Sequence, residues 1–257
     1  MNTNSNVYTI IYTSVLVIVV AAILAFAATF LKPAQEANVK VETMSKILAA
    51  AGVAQDNLSN DEIIALFYNE VAATLTVSAK GYDAEEVVDK DGKPQIFPVS
   101  YLKVQSSLIA KGQQDEGKFP VYCFNNGLKV VPIYGAGLWG PIWGYIAFAE
   151  DNATVSGAIF DHKGETPGLG APIAEKPFYS QFAGKSILDE AGEFVSISVV
   201  KGGANGSKNG VDAVSGGTIT SKAVDTSLRA WLGAYRNYFL ACTPMPLNEN
   251  VEEPSNE

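Results

Sequence analysis

The sequence predicts an α+β protein in which one N-terminal transmembrane helix precedes a mixed α/β region and an antiparallel β-rich domain closed by a C-terminal helix. Three observations predict this architecture. They are an uncharged apolar run near the N-terminus, short β-rich segments separated by turn residues after residue 118, and an amphipathic helix at 224–239. A chain of 257 residues can form one or two domains with a sizeable core.

Changes in composition divide the chain into five predicted segments. These are an N-terminal flank at 1–6, the transmembrane helix at 7–31, a mixed α/β region at 32–117 packed on the next domain, the β-rich domain at 118–242, and an acidic tail at 243–257. The tail is rich in Pro, Asn and Glu, and we expect it to be disordered.

The apolar run at 7–31 has no charged side chain, and its 25 residues would form a helix about 37 Å long. That length exceeds the ~30 Å hydrocarbon core of a bilayer, so the helix can cross it with some tilt. A cleaved signal peptide is the alternative, but it needs a basic N-terminal region, and residues 1–6 contain no Lys or Arg. The sequence favours an uncleaved anchor. Lys32, Lys40 and Lys46 follow the run, and by themselves they favour a cytoplasmic main domain.

Two helices are predicted next. Apolar residues at helical spacing predict a helix over 39–51, which Gly52 ends. Ser59 and Glu62 fit a capping box, and the apolar spacing behind them continues to Val71.

The pattern becomes β near residue 118. The segments 121–124 and 128–133 flank Asn125-Asn126-Gly127 and predict a hairpin. The remaining predicted elements are a turn at 89–94 between extended segments, strands at 142–149, 154–160 and 194–200, and a Gly-rich loop at 201–210. The final helix has one apolar stripe, formed by Val224, Leu228, Trp231, Leu232, Tyr235 and Phe239.

The composition excludes several classes of function. The chain has 18 Lys and Arg against 27 Asp and Glu, a net charge of −9, which argues against nucleic-acid binding. Two cysteines exclude a disulfide scaffold and a Cys-built zinc or iron–sulfur site, and one histidine excludes a multi-His metal site. Redox chemistry would therefore need an organic cofactor. Cys123 and Cys242 can pair only if the fold brings them together in an oxidising compartment.

Two short motifs resemble nucleotide sites, but their contexts argue against that function. Residues 135–140 match GxGxxG, yet Pro141 and an aromatic strand follow where a dinucleotide site needs a helix. Residues 112–118 match the start of a P-loop, yet Phe119 stands where Ser or Thr must hold Mg²⁺. The lone His162 is interpreted as a hydrogen-bonded structural residue.

The segment before the final helix has the chemistry of a phosphate site. It reads Asp212-Ala-Val-Ser215-Gly216-Gly217-Thr218. Unpaired N–H groups and the positive end of the helix dipole favour an anion there, and the two glycines allow close backbone approach. The alternative is a helix cap with no ligand.

This segment, together with His162-Lys-Gly-Glu165-Thr166-Pro-Gly168-Leu169-Gly170, resembles the FMN-binding domain family whose flavin is attached through its phosphate to a threonine. The family motif runs Asp, two variable residues, Ser or Thr, Gly, Ala and the acceptor, so that Gly217 replaces the usual Ala. The resemblance implies covalent FMN on Thr218, installed by a separate flavin transferase that uses FAD and Mg²⁺.

The resemblance also implies roles for other residues and no catalytic or metal-binding residue. Trp139 and Leu169 are expected to lie against the flavin ring, Glu165 and Thr166 to hydrogen-bond the flavin or ribityl chain, and Lys201 to offset the phosphate charge. The further expected cofactor-binding residues are Gly168, Gly170, Asp212, Ser215, Gly216 and Gly217.

Within this family the chain is similar to C subunits of sodium-translocating NADH:quinone oxidoreductases, which implies an electron carrier docked beside other membrane subunits. The G subunit of the ferredoxin:NAD oxidoreductase and a membrane-anchored binding module without covalent flavin are the alternatives. The resemblance places the main domain on the periplasmic side of the bacterial cytoplasmic membrane. We follow it over the lysine distribution, because charge bias orients long domains weakly.

Overall fold

The computed structural model describes residues 6–81 and 83–242. The predicted tail at 243–257 and most of the N-terminal flank lie outside these residues. The chain forms two compact units that divide between Glu42 and Thr43. The predicted boundary at 117 and 118 remains a prediction.

Helix α1, Asn6–Ala50, combines two segments that the sequence analysis treats separately. The helix continues through Pro33 and includes both the apolar run and the helix predicted at 39–51. By length and composition, α1 is able to cross a membrane. The predicted stop is confirmed, because Gly52 has a φ of +77° and the Val53 N–H donates to the Leu48 carbonyl at 3.0 Å.

Helix α2, Asn60–Glu70, begins with the predicted capping box, in which Ser59 and Glu62 each accept from the other's backbone. The assignment of Val71 to this helix is wrong, because Val71 starts strand β1, Val71–Val77. Strand β2, Ala84–Glu86, lies in the extended segment expected before the turn at 89–94, whereas helix α3, Val99–Ala110, was not predicted. The predicted turn at 89–94 is confirmed by the Gly92 N–H, which donates to the Asp89 carbonyl.

Six strands form one antiparallel sheet. Besides β1 and β2, its strands are β3 at Phe119–Phe124, β4 at Lys129–Ala136, β5 at Pro141–Phe148 and β6 at Val155–His162. Their order across the sheet is β2-β1-β3-β4-β5-β6. The predicted hairpin is β3–β4, and the next two predicted strands are β5 and β6. Because β1 pairs with β3, the chain before residue 118 completes the sheet that carries the site.

The strand predicted at 194–200 is shorter than expected. Only Ser198–Val200, β7, is a strand, and it pairs in parallel with β8 at Gly210–Asp212. Ser196 has a φ of 66°, a left-handed conformation that interrupts an extended strand. Three short 3₁₀ turns and the short helix α4, Lys176–Tyr179, lie elsewhere in the fold.

Helix α5, Thr218–Cys242, covers one face of the sheet. Every residue of its predicted apolar stripe is buried. Two buried aromatics of α5 also donate to the sheet, Trp231 Nε1 to the Tyr134 carbonyl and the Tyr235 hydroxyl to the Pro120 carbonyl, both at 2.8 Å. Met44, Ile47 and Phe67 pack on the opposite face of the sheet. The first turn of α5 lies at the edge of the core, because Thr220 and Ser221 are buried and Thr218 is exposed.

Candidate functional site

Thr218 is the first residue of α5, and its side chain is exposed. The first helical hydrogen bond runs from the Ser221 N–H to the Gly217 carbonyl at 2.8 Å. Within the described part of the chain, the N–H groups of Thr218, Ile219 and Thr220 donate to no acceptor. These three donors and the helix dipole favour an anion beside the Thr218 hydroxyl.

The other hydroxyls near this helix start have different environments. Thr220 is buried and donates to Glu165 Oε2 at 2.5 Å. Ser221 is also buried, and its oxygen accepts the Val214 N–H at 3.0 Å. Ser215 and Thr218 are the two exposed hydroxyl residues of the segment 215–221. Of these two, Thr218 is the one on the helix.

Thr218 lies where two cavities meet. The smaller cavity, of about 220 Å³, has apolar side chains beside it that are unusually exposed for their size, Trp139 at 69% and Leu169 at 48%. It brings together seven predicted site residues with Thr218, namely Trp139, Glu165, Thr166, Leu169, Gly170, Gly216 and Gly217.

The larger cavity, of about 650 Å³, is lined by more polar residues. It contains the predicted Lys201, Asp212 and Ser215 together with Gly216 and Thr218. Gly168 lines neither cavity. It has a φ of +73° in the turn that leads to Leu169, which is a conformation that glycine adopts without strain.

The buried Glu165 carboxylate links its own loop to Trp139 and to the first turn of α5, beside the smaller cavity. Its Oε1 accepts the Trp139 N–H at 2.9 Å, and its Oε2 accepts the Thr220 hydroxyl. The Glu165 N–H in turn donates to Nδ1 of His162 at 3.2 Å, so the lone histidine is hydrogen-bonded. Both carboxylate oxygens are therefore engaged with the chain itself, and the contact with flavin expected of Glu165 remains a prediction.

Asp212 also forms hydrogen bonds that hold neighbouring backbone segments in place. Its Oδ1 accepts the Ala204 N–H at 2.6 Å, and its own N–H donates to Gln181 Oε1 at 2.8 Å. These contacts fix the Gly-rich loop against the start of the acceptor segment.

Lys222 is a residue of the site that the sequence analysis missed. It is exposed, lines the larger cavity, and lies four residues after Thr218 on α5. Residues four apart share one face of a helix, so this spacing was a usable signal. With Lys201, it gives the cavity two cations, and Asp212 and Asp225 give it two carboxylates.

Each of the two rejected nucleotide motifs leads into a β-strand. Residues 135–140 form the end of β4 and the turn to β5, and Trp139 in this turn lines the smaller cavity. Residues 112–118 connect α3 to β3. Residues 6–81 and 83–242 contain no group of three or more His, Cys, Asp or Glu side chains able to hold a metal ion.

Comparison with known proteins identifies the family of this chain. A model of the FMN-binding domain family matches residues 137–233, a range that includes both cavities. The C subunit of the Na(+)-translocating NADH-quinone reductase of Haemophilus ducreyi is 31% identical over 229 residues, which cover 84% of this chain and 85% of that protein. This chain belongs to the family of these C subunits.

Other members of the family align with this chain along most of their length. The C subunit from Pseudomonas aeruginosa is 31% identical over 244 residues, covering 90% of this chain and 93% of that one. A crystal structure of the Parabacteroides distasonis protein superposes with a TM-score of 0.65 at 34% identity, covering 81% of this chain and 96% of that one. The Shewanella oneidensis NqrC structure gives 0.65 at 28%, covering 80% and 98%.

Proposed function

We propose that this chain is the electron-carrier subunit of a sodium-translocating NADH-quinone reductase and carries FMN bound covalently to Thr218. The observation that supports this most is the position of the Thr218 hydroxyl. It is exposed, it starts a helix with unpaired N–H groups, and it borders both cavities. The type of complex is inferred from the relatives named above, which are C subunits of Na(+)-translocating NADH-quinone reductases.

The two cavities offer different chemistry to the two ends of FMN. Trp139 and Leu169 present exposed apolar surface to a flavin ring, and Thr166 offers a hydroxyl beside them. Lys201 and Lys222 offer positive charge to the phosphate, together with the N–H groups at the start of α5. These residues fit the cofactor, and the covalent bond would retain it when the domain exchanges electrons with its partners.

When bound, FMN would supply one- and two-electron redox chemistry. Trp139 and Leu169 would position the flavin ring and exclude water from one side of it. For attachment, the Thr218 oxygen would replace AMP at the FMN phosphate of FAD, on a flavin transferase with Mg²⁺. The exposure of Thr218 gives such an enzyme access.

We place the main domain on the periplasmic side of the cytoplasmic membrane, with α1 as a single-pass anchor beside the other membrane subunits of the complex. The length and apolar composition of α1 support the anchor. Fusion of a compartment-specific reporter to the C-terminus tests the orientation, and activity of a cytoplasmic reporter would contradict it.

Denaturation tests the covalent bond. The full chain is co-produced with a flavin transferase, unfolded in detergent and separated by electrophoresis. We expect flavin fluorescence to migrate with the wild-type chain and to be absent from Thr218→Ala. Fluorescence that is released on unfolding would indicate non-covalent FMN, and a colourless folded protein would favour a binding module without flavin.

A further inference from the structure

The two cysteines of the described chain approach one buried tyrosine. Cys123, on β3, is half-buried and packs against the core cluster that contains Tyr238. Cys242 follows Tyr238 by one helical turn at the end of α5, and its side chain is exposed. Burial raises the pKa of Tyr238, and the neighbouring Cys123 and Cys242 thiols raise it further. Both thiols therefore lie on the side of the sheet that α5 covers.

A separate set of hydrogen bonds holds the same backbone segments together. Cys123 is the register partner of Lys129 in the β3–β4 hairpin. Lys129 Nζ donates to Asn152 Oδ1 at 2.6 Å, and Asn152 Nδ2 donates to the Cys242 carbonyl at 3.1 Å. Asn152 is buried. The end of α5 is therefore fixed beside the strand that carries Cys123, independently of the thiols.

We propose that Cys123 and Cys242 form an intramolecular disulfide that fastens the end of α5 to β3. The oxidant is a second disulfide, either a small molecule or a thiol oxidoreductase. The exposed Cys242 thiolate attacks one of its sulfurs and releases a thiol. Cys123 then attacks Cys242 in the mixed disulfide and releases the second thiol. Overall, the two cysteines lose two electrons and two protons, and the external disulfide is reduced to two thiols.

The order of attack follows from exposure. Burial raises the pKa of the Cys123 thiol, the chief cause of its shift, so less of it is the nucleophilic thiolate near neutral pH. Cys242 is accessible to an external disulfide. The pairing does not depend on flavin, so it can be tested on protein made without a transferase. In cells it would form only where disulfides persist, outside the cytoplasm.

The test treats reduced, folded full-length protein in detergent with oxidised glutathione. We expect the wild-type chain to lose the mass of two hydrogens and both alkylatable thiols, and dithiothreitol to restore them. Cys123→Ser should instead retain one glutathione on the exposed Cys242, whereas Cys242→Ser should keep its half-buried Cys123 thiol largely unmodified. Stable glutathione adducts or linked dimers on the wild type, with no internal disulfide, would overturn the proposal.

A matched control moves the second thiol. Leu240→Cys combined with Cys242→Ser keeps two thiols but places one about 200° around α5 from Tyr238, on the other side of the helix. This variant should form glutathione adducts and no internal disulfide. Cross-linking at the wild-type rate would show that flexibility at the helix end, and not the observed geometry, brings the thiols together.

Discussion

The carbonyl oxygen of Leu169 lies directly against Gly217, where a Cβ on residue 217 would approach it to less than 3.0 Å. Real Cβ atoms essentially never make contacts this close, and a backbone carbonyl cannot rotate aside as a side chain can. The loop that carries Leu169 and the acceptor segment are therefore packed backbone to backbone. Gly217, which replaces the usual Ala of the resembled motif, is the residue that allows this packing.

Gly217→Ala should therefore destabilise this protein by about 1–3 kcal/mol, because the loop at Leu169 must move to admit the methyl group. Thermal unfolding measures the loss. Gly233→Ala is the matched control, since a Cβ there meets nothing within 4 Å and helix propensity should stabilise α5 by about 0.5–1 kcal/mol. Equal melting temperatures for Gly217→Ala and wild type would show that the close packing has no energetic effect.

Glu165→Ala should lower the free energy of unfolding by about 1–3 kcal/mol, because it leaves the buried Thr220 hydroxyl and the Trp139 N–H without their acceptor. Glu165→Gln retains an acceptor oxygen and an amide, so its loss should be smaller. Denaturant unfolding of the three proteins checks the order. A stability of Glu165→Ala equal to that of Glu165→Gln would contradict the role of the carboxylate as a link between these elements.

Lys46 and Asp161 form an ion pair whose side chains are 19% and 23% exposed, and Lys46 also lies over the Trp143 ring. Lys46→Met should destabilise the fold by about 1–2 kcal/mol, since Asp161 keeps its charge in a partly buried place. The control is Lys118→Met, whose pair with Glu85 is 59% and 63% exposed and should contribute less than about 1 kcal/mol. Equal losses in chemical denaturation would contradict this ranking.

Trp139→Ala should have a free energy of unfolding within about 0.5 kcal/mol of the wild-type value, because the Trp139 side chain is mostly exposed. In FMN-loaded protein it should change the flavin absorption and fluorescence, since the variant removes an aromatic surface from the ring. Val104→Ala is the control, an exposed apolar residue on α3 that lines neither cavity. Unchanged flavin spectra in Trp139→Ala would place the ring elsewhere.

The elements predicted well are those whose side-chain period is clear. The stripe of α5 and the β3–β4 hairpin are examples, since each is fixed by local spacing and turn residues. Strand β1 was missed because Val71 continues the helical spacing of α2, and only pairing with β3 makes the following residues extended. The left-handed conformation of Ser196, which shortens β7, has no signal in an alternating sequence.

The candidate site was predictable to a different degree at each residue. Thr218 was proposed from a motif, and Lys222, which lines the same cavity, could have been proposed from its spacing on the same helix. The partner of Glu165 was not available, because Thr220 lies 55 residues away and only the fold brings the two together. Long-range polar contacts of this kind depend on tertiary packing that no local pattern encodes.

Intact mass after co-production with a flavin transferase tests the central claim most directly. Wild type and Ser215→Ala should each gain the mass of FMN less one water, and Thr218→Ala should gain none, because Thr218 is the exposed hydroxyl on the helix. An adduct on Thr218→Ala would contradict the assignment of the acceptor. No adduct on wild type, with a transferase that modifies another substrate, would contradict the account of this protein as a covalent flavin carrier.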